Sequence, residues 1–100
     1  MMKLLMTWDI LPGKESEYLE FLTQEFAPTM MKLGIRPTDA WYAVARVRGP
    51  QVRTGGVAED LETLEKILAS PEWKALQKKL LTYVTNFNYK IVVATGGFQL

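Results

Sequence analysis

Segments that alternate every second residue and segments with a helical period succeed one another in the order β-α-β-β-α-α-β, and this order constrains the fold more than any single residue does. The first run, KLLMTWDI, puts Leu4, Met6, Trp8 and Ile10 on one face of a strand and Leu5, Thr7 and Asp9 on the other. Pro12-Gly13 is turn chemistry, and Glu15 and Glu17 then stand where a helix N-terminus favours negative charge. Leu19, Leu22, Phe26, Met30 and Leu33 form one apolar helical stripe, with Gly34 as its stop. Pro28 interrupts that helix: it removes an N–H and crowds the carbonyl of Gln24, which predicts a kink near Ala27. Two readings of the kink stand. The helix bends to wrap a curved sheet, or it opens to admit a ligand.

DAWYAVARVR and VRTGGVA read as a hairpin of two strands closed at Gly49-Pro50. The paired glycines of RTGGVA predict a bulge or a close backbone approach, as do those of TGGF near the end of the sequence. RTGGVA is not a phosphate loop, because it lacks the lysine-threonine ending and opens no helix. EDLETLEKILA is a helix with Leu61, Leu64, Ile67 and Leu68 inward. The helical pattern stops at Ser70-Pro71 and restarts at once: Ser70 can cap a new helix, Pro71 fits its first position, and Glu72 complements its dipole. Trp73, Leu76, Leu80 and Val84 continue inward as far as Asn86, and YKIVVATGGFQL is the last strand. The bend lets both short helices lie on one twisted sheet, with Trp73 in the core. The expected protein is one α+β domain over residues 1–100. It is a ferredoxin-like βαββαβ fold with a four-stranded antiparallel sheet, helices on one face, and a crossover helix split at Ser70-Pro71.

The face of such a sheet that carries no helix is usually polar. Here the second strand has Trp41, Ala43, Ala45 and Val47 on one face and Tyr42 and Val44 on the other, and Tyr89, Ile91 and Val93 alternate with Val92 and Ala94. One helical layer leaves an apolar patch uncovered, which predicts a homodimer through the sheet face. PGKESEYLEFL, DLETLEKILASPEWKAL and YKIVV together make the whole chain resemble the dimeric α+β barrel superfamily, and its SPEW helix break resembles that of members related to the antibiotic biosynthesis monooxygenases. The superfamily includes cofactor-free oxygenases, haem-degrading oxygenases, isomerases, stress-response proteins and ligand-sensing modules, so the resemblance implies a fold without choosing a reaction.

Composition excludes several chemistries. There is no histidine and no cysteine, which rules out the histidine of the haem-binding members, a Ser-His-Asp triad, thiolate chemistry and a disulfide framework. Tight haem ligation and a zinc site are therefore not expected, carboxylates with Tyr42 or Tyr89 could hold iron or magnesium only weakly, and no cofactor or metal is assigned. The net charge of +1 argues against a nucleic-acid or membrane-surface role, and no apolar run is long enough to span a bilayer. The opening MMKLLMTWDI is broken by Asp9 and lacks a cleavage site, so it reads as a strand and not as a secretory signal, and a cytoplasmic location is expected.

The resemblance to the oxygenase-like members implies a mainly apolar cavity. The strand aromatics Trp8, Tyr42 and Tyr89 are candidates to line it, with packing as the plainer role. All four arginines lie in or beside the hairpin, and a two-residue loop at Gly49-Pro50 would set Arg46 opposite Arg53. Like charges there repel, and a carboxylate, either Asp9 or an acidic ligand, would relieve them. An intersubunit ion pair and plain solvation are the other readings. Two classes of function follow: a small-molecule-binding or structural dimer without catalysis, or a cofactor-independent monooxygenase- or isomerase-like enzyme acting on a hydrophobic aromatic substrate. The ligand is a small apolar or acidic molecule.

Overall fold

The computed structural model describes residues 1–42 and 52–94, with residues 39–42 described by their backbone. Strand β1 (Met2–Ile10) runs through the middle of the sheet, and every second residue from Leu4 to Ile10 is buried beneath the helices. It pairs antiparallel with β3 (Val52–Ala58) on one side and with β4 (Val84–Val93) on the other, while β2 (Arg36–Tyr42) pairs with β3 at the far edge. The strand order β2-β3-β1-β4 is the expected ferredoxin-like topology. Pro37 is tolerated because β2 is an edge strand, where a missing N–H breaks no inner ladder.

The first helical segment differs from a plain bent helix. It divides into α1 (Glu15–Phe21), a π turn (Leu22–Phe26) and α2 (Ala27–Leu33). The N–H of Ala27 bonds the carbonyl of Leu22, five residues back, so the irregularity expected near Ala27 takes the form of one wide turn just ahead of Pro28. The wide turn also changes which residues face inward. Tyr18, Phe21, Phe26 and Met30 are buried, whereas Leu19, placed in the core by its spacing, is 55% exposed. Gly34 ends α2 in the left-handed region at φ 109°, with its own N–H and that of Ile35 both bonded to the carbonyl of Met30.

The split crossover helix is present as expected. Helix α3 (Leu61–Ala69) starts at Asp60, whose carboxylate accepts the Thr63 N–H at 2.8 Å. That hydrogen bond holds the Asp60 carboxyl below its ordinary range. Ser70 closes α3 and opens α4 (Pro71–Leu80): its hydroxyl donates to the carbonyl of Ile67 at 2.6 Å and accepts the Trp73 N–H at 3.2 Å. Leu64, Ile67, Trp73, Leu76 and Leu80 are buried on the sheet, and Leu61 is exposed.

Helix α4 ends six residues before the expected stop at Asn86. Val84 is not its last inward residue; it opens β4, buried opposite Ile10. Asn86 instead has a positive φ of 56° at a β-bulge, where one extra residue of β4 lies opposite Trp8. The second strand also differs from the expected DAWYAVARVR, for it begins at Arg36. Residues 43–51, which include Gly49-Pro50, and the TGGF glycines lie outside the described residues.

The hairpin register corrects the expected arginine pair. Arg53 lies opposite Trp41 of β2 and opposite Thr7 of β1, not opposite Arg46, and Arg46 itself is outside the described residues. Of the two consequences expected of the paired glycines, the close approach is present, and the bulge lies in the partner strand and not in their own. Thr38 is an extra residue in β2 facing Gly55 and Gly56, and β2 approaches Gly56 so closely that a Cβ there would lie 2.5 Å from Cγ2 of Ile35.

Candidate functional site

The π turn and the β2 bulge face each other across one cavity. The cavity, about 250 Å³, lies between the first helical segment and the β2-β3 end of the sheet. Leu22 and Phe26 of the π turn form one wall, continued by Ala27 and Met30 of α2. The opposite side is made by Met6 of β1, by Ile35, and by Pro37 and Thr38 of the bulged strand. Thr54, Gly55 and Gly56 of β3 complete it, and the glycines thin the sheet where the cavity meets it.

The lining is almost wholly apolar. Thr38 and Thr54 supply its polar side chains, and none of its residues is ionisable. Such a site favours an uncharged guest, because a charge entering it would lose hydration without gaining a partner. A cavity of roughly 150 Å³ suffices for benzene, so about 250 Å³ suits a two-ring molecule or one of similar bulk.

Trp8 stands behind this cavity and does not line it. It is fully buried, its indole N–H donates to the Tyr18 hydroxyl at 3.0 Å, and its ring packs edge-on to Tyr18 and Phe26 and stacks on Phe87. Phe26 therefore links the core aromatics to the cavity wall. Asp9 lies on the sheet face away from the helices and accepts a hydrogen bond from Asn86 at 2.9 Å. Arg53 is exposed on that same face. Tyr89 is 50% exposed on edge strand β4, against Phe87. Tyr42 sits in β2 opposite Val52. Trp8, Asp9, Arg53 and Tyr89 are thus spread over both faces and one edge of the sheet. Sequence reasoning missed the residues that do converge, of which Phe26, Ala27, Met30, Thr38 and Thr54 are the chief ones. Pro28 and the paired glycines were the signals that pointed toward them.

A second hollow, of about 290 Å³, lies on the outer side of the π turn between Glu17, Glu20, Gln24, Glu25, Lys79 and Tyr83. Its one lysine is already paired with a carboxylate. Lys79 Nζ donates to Glu25 Oε1 at 3.0 Å and lies 2.7 Å from Oε2, a contact that is ionic and not a directed hydrogen bond. The hydrogen bond to Glu25 raises the Lys79 pKa, and its ammonium sits 5.7 Å over the Phe21 ring. Among the described residues no three acidic side chains come together to hold a metal ion, and no helix is long and apolar enough to cross a membrane.

Solved structures share this architecture over nearly the whole chain. An uncharacterized NIPSNAP domain protein from Burkholderia xenovorans is 19% identical, with 99% of each chain covered and a TM-score of 0.68. An ethyl tert-butyl ether D family protein from Bacillus halodurans is 20% identical over 95% of this chain and 100% of that one, with a TM-score of 0.70. A protein from Arabidopsis thaliana reaches a TM-score of 0.79 at 14% identity, covering 99% of this chain and 100% of its own. No family model matches the sequence, and no curated protein does. At these identities the likeness establishes the fold, a ferredoxin-like α+β fold with helices on one face of a four-stranded antiparallel sheet, and assigns no catalysis.

Proposed function

We propose that the protein binds a small, uncharged, apolar molecule in the cavity between the π turn and the sheet. The observation that carries this reading is the lining itself: a space large enough for two rings, walled by Met6, Leu22, Phe26, Met30 and Ile35, with hydroxyls at Thr38 and Thr54 to orient one polar atom. The acidic ligand considered from the arginines has no counterpart in this wall. The neutral bicyclic 1-naphthol serves as a probe. It is expected to raise the melting temperature of the wild-type protein, and Ala27→Phe, which fills the cavity from a half-buried wall position, is expected to abolish that rise. An equal rise in both proteins would place the probe elsewhere and contradict the reading.

The alternative is a cofactor-independent oxygenase- or isomerase-like enzyme of the antibiotic biosynthesis monooxygenase type. The apolar wall favours it, since an apolar space limits the water that reaches a reactive intermediate. Against it stands the lack of any general acid or base among the lining residues, so the substrate itself would have to supply the reactive proton.

A second copy of the chain belongs to the same proposal. Val93 is 61% exposed and Tyr89 half exposed along β4, with Phe87 and Ile91 half-buried in the same row, while Leu5, Val57 and Val92 are half-buried on the face without helices. Leu5, Val57 and Val92 support association through the helix-free face, while the β4 row lies at the edge on the helix side. Sedimentation at micromolar concentration should give a dimer, and Val92→Asp, on the helix-free face, should shift it toward monomer. A wild-type monomer would end this part of the proposal.

A further inference from the structure

The first helical segment carries one residue more than its packing needs. Phe21 and Phe26 are both buried in the core, yet they are five residues apart. On a regular helix of about 100° per residue they would point about 140° away from each other. The π turn absorbs that difference, with its wide bond from the Ala27 N–H to the Leu22 carbonyl. Removing one residue between them would leave Phe21 and Phe26 four apart, about 40° from each other, on one continuous α-helical stripe. Tyr18, Phe21, Phe26 and Met30 would then form the unbroken core face of an ordinary helix. The extra residue adds nothing to the core. The two residues that its wide bond joins, Leu22 and Ala27, both line the cavity.

We infer that the π turn is the element that shapes the ligand cavity, and that the inserted residue serves binding and not folding. This inference rests on the ligand-binding reading above. Pro28 has a secondary place in it. In a regular helix its ring would meet the carbonyl of Gln24, and following a wide turn it is tolerated. The phase difference between Phe21 and Phe26 exists whatever stands at position 28, so the turn outlasts the loss of the proline.

The test compares four proteins by calorimetric titration with 1-naphthol and by thermal melting: the wild type, Pro28→Ala, and Pro28→Ala combined with deletion of either Thr23 or Gln24, both exposed on the turn. Pro28→Ala is expected to bind within about threefold of wild type. At least one deletion protein is expected to fold, to melt no lower than Pro28→Ala, and to bind at least ten-fold more weakly. Retained binding in a folded deletion protein overturns the inference while leaving the cavity reading intact. Failure of both deletion proteins to fold, or melting below Pro28→Ala, also overturns it, because the insertion would then be structural. Loss of binding in Pro28→Ala alone would assign the cavity to the proline and not to the phase. A wild type that does not bind removes the cavity reading and this inference with it.

Discussion

Gly56→Ala is expected to cost about 3 kcal/mol of folding stability, far more than Gly55→Ala one residue earlier, although both add a single methyl group to the same strand. The new Cβ at position 56 would lie 2.5 Å from Cγ2 of Ile35 and 3.0 Å from the Arg36 carbonyl oxygen. Ile35 is fully buried and stiff about its first side-chain torsion, so neither it nor the backbone of β2 can give way cheaply. At Gly55 the nearest atoms lie at 3.2 Å, and two of the three belong to the flexible side chains of Leu5 and Lys3. A loss of about 1 kcal/mol or less is expected there. Against a usual total of about 5–15 kcal/mol, the first substitution removes a large share of the stability and the second a small one. Urea midpoints of the two variants measure the difference. Equal midpoints would mean that β2 does not approach β3 as closely as described, and the cavity floor would have to be redrawn with it.

Trp8→Ala is expected to cost about 3–5 kcal/mol, the range for emptying a buried aromatic site. Trp8 occupies the centre of the sheet and joins three rings that come from different elements: Tyr18 of α1, Phe26 of the π turn and Phe87 of β4. Its loss leaves a cavity that these rings cannot close together, because each is held by its own element. Trp8→Phe keeps most of the packing and loses the hydrogen bond to Tyr18, so about 1–2 kcal/mol is expected. Urea unfolding followed by far-ultraviolet circular dichroism separates the two variants. If Trp8→Ala lost no more than Trp8→Phe, Trp8 would not be the centre of the core.

The parts of the fold legible in the sequence are those that local chemistry decides. Ser70-Pro71 breaks the crossover helix because a hydroxyl cap and a proline act within one turn. Gly34 stops α2 because few other residues adopt φ 109° without strain. The strand order follows from the succession of periods. Where the reading slipped, a non-local contact won. Trp73, Leu76, Leu80 and Val84 continue one helical spacing, but Val84 finds Ile10 of β1 as a strand partner and leaves the helix. Leu19, Leu22, Phe26, Met30 and Leu33 are spaced by threes and fours like any helix, and nothing in that spacing reveals a wide turn that brings Tyr18 and Phe21 inward instead. Loop length alone leaves the hairpin register open, and the register formed sets Trp41 opposite Arg53. The candidate cavity was the least legible part. It arises where the π turn, the Thr38 bulge and two glycines meet, three irregularities far apart in the sequence. Of the strand aromatics, Trp8 packs the core behind the cavity wall.

The central claim, an apolar ligand held between the π turn and the sheet, is tested most directly by nuclear magnetic resonance of the methionine methyl groups. Met6 and Met30 line the cavity, while Met1 and Met31 are exposed away from it and serve as internal controls. With methyl-labelled methionine, titration of 1-naphthol should shift the signals of Met6 and Met30 to saturation and leave that of Met31 unmoved. A titration in which Met31 moves as much as Met30, or in which neither Met6 nor Met30 responds, would contradict the account.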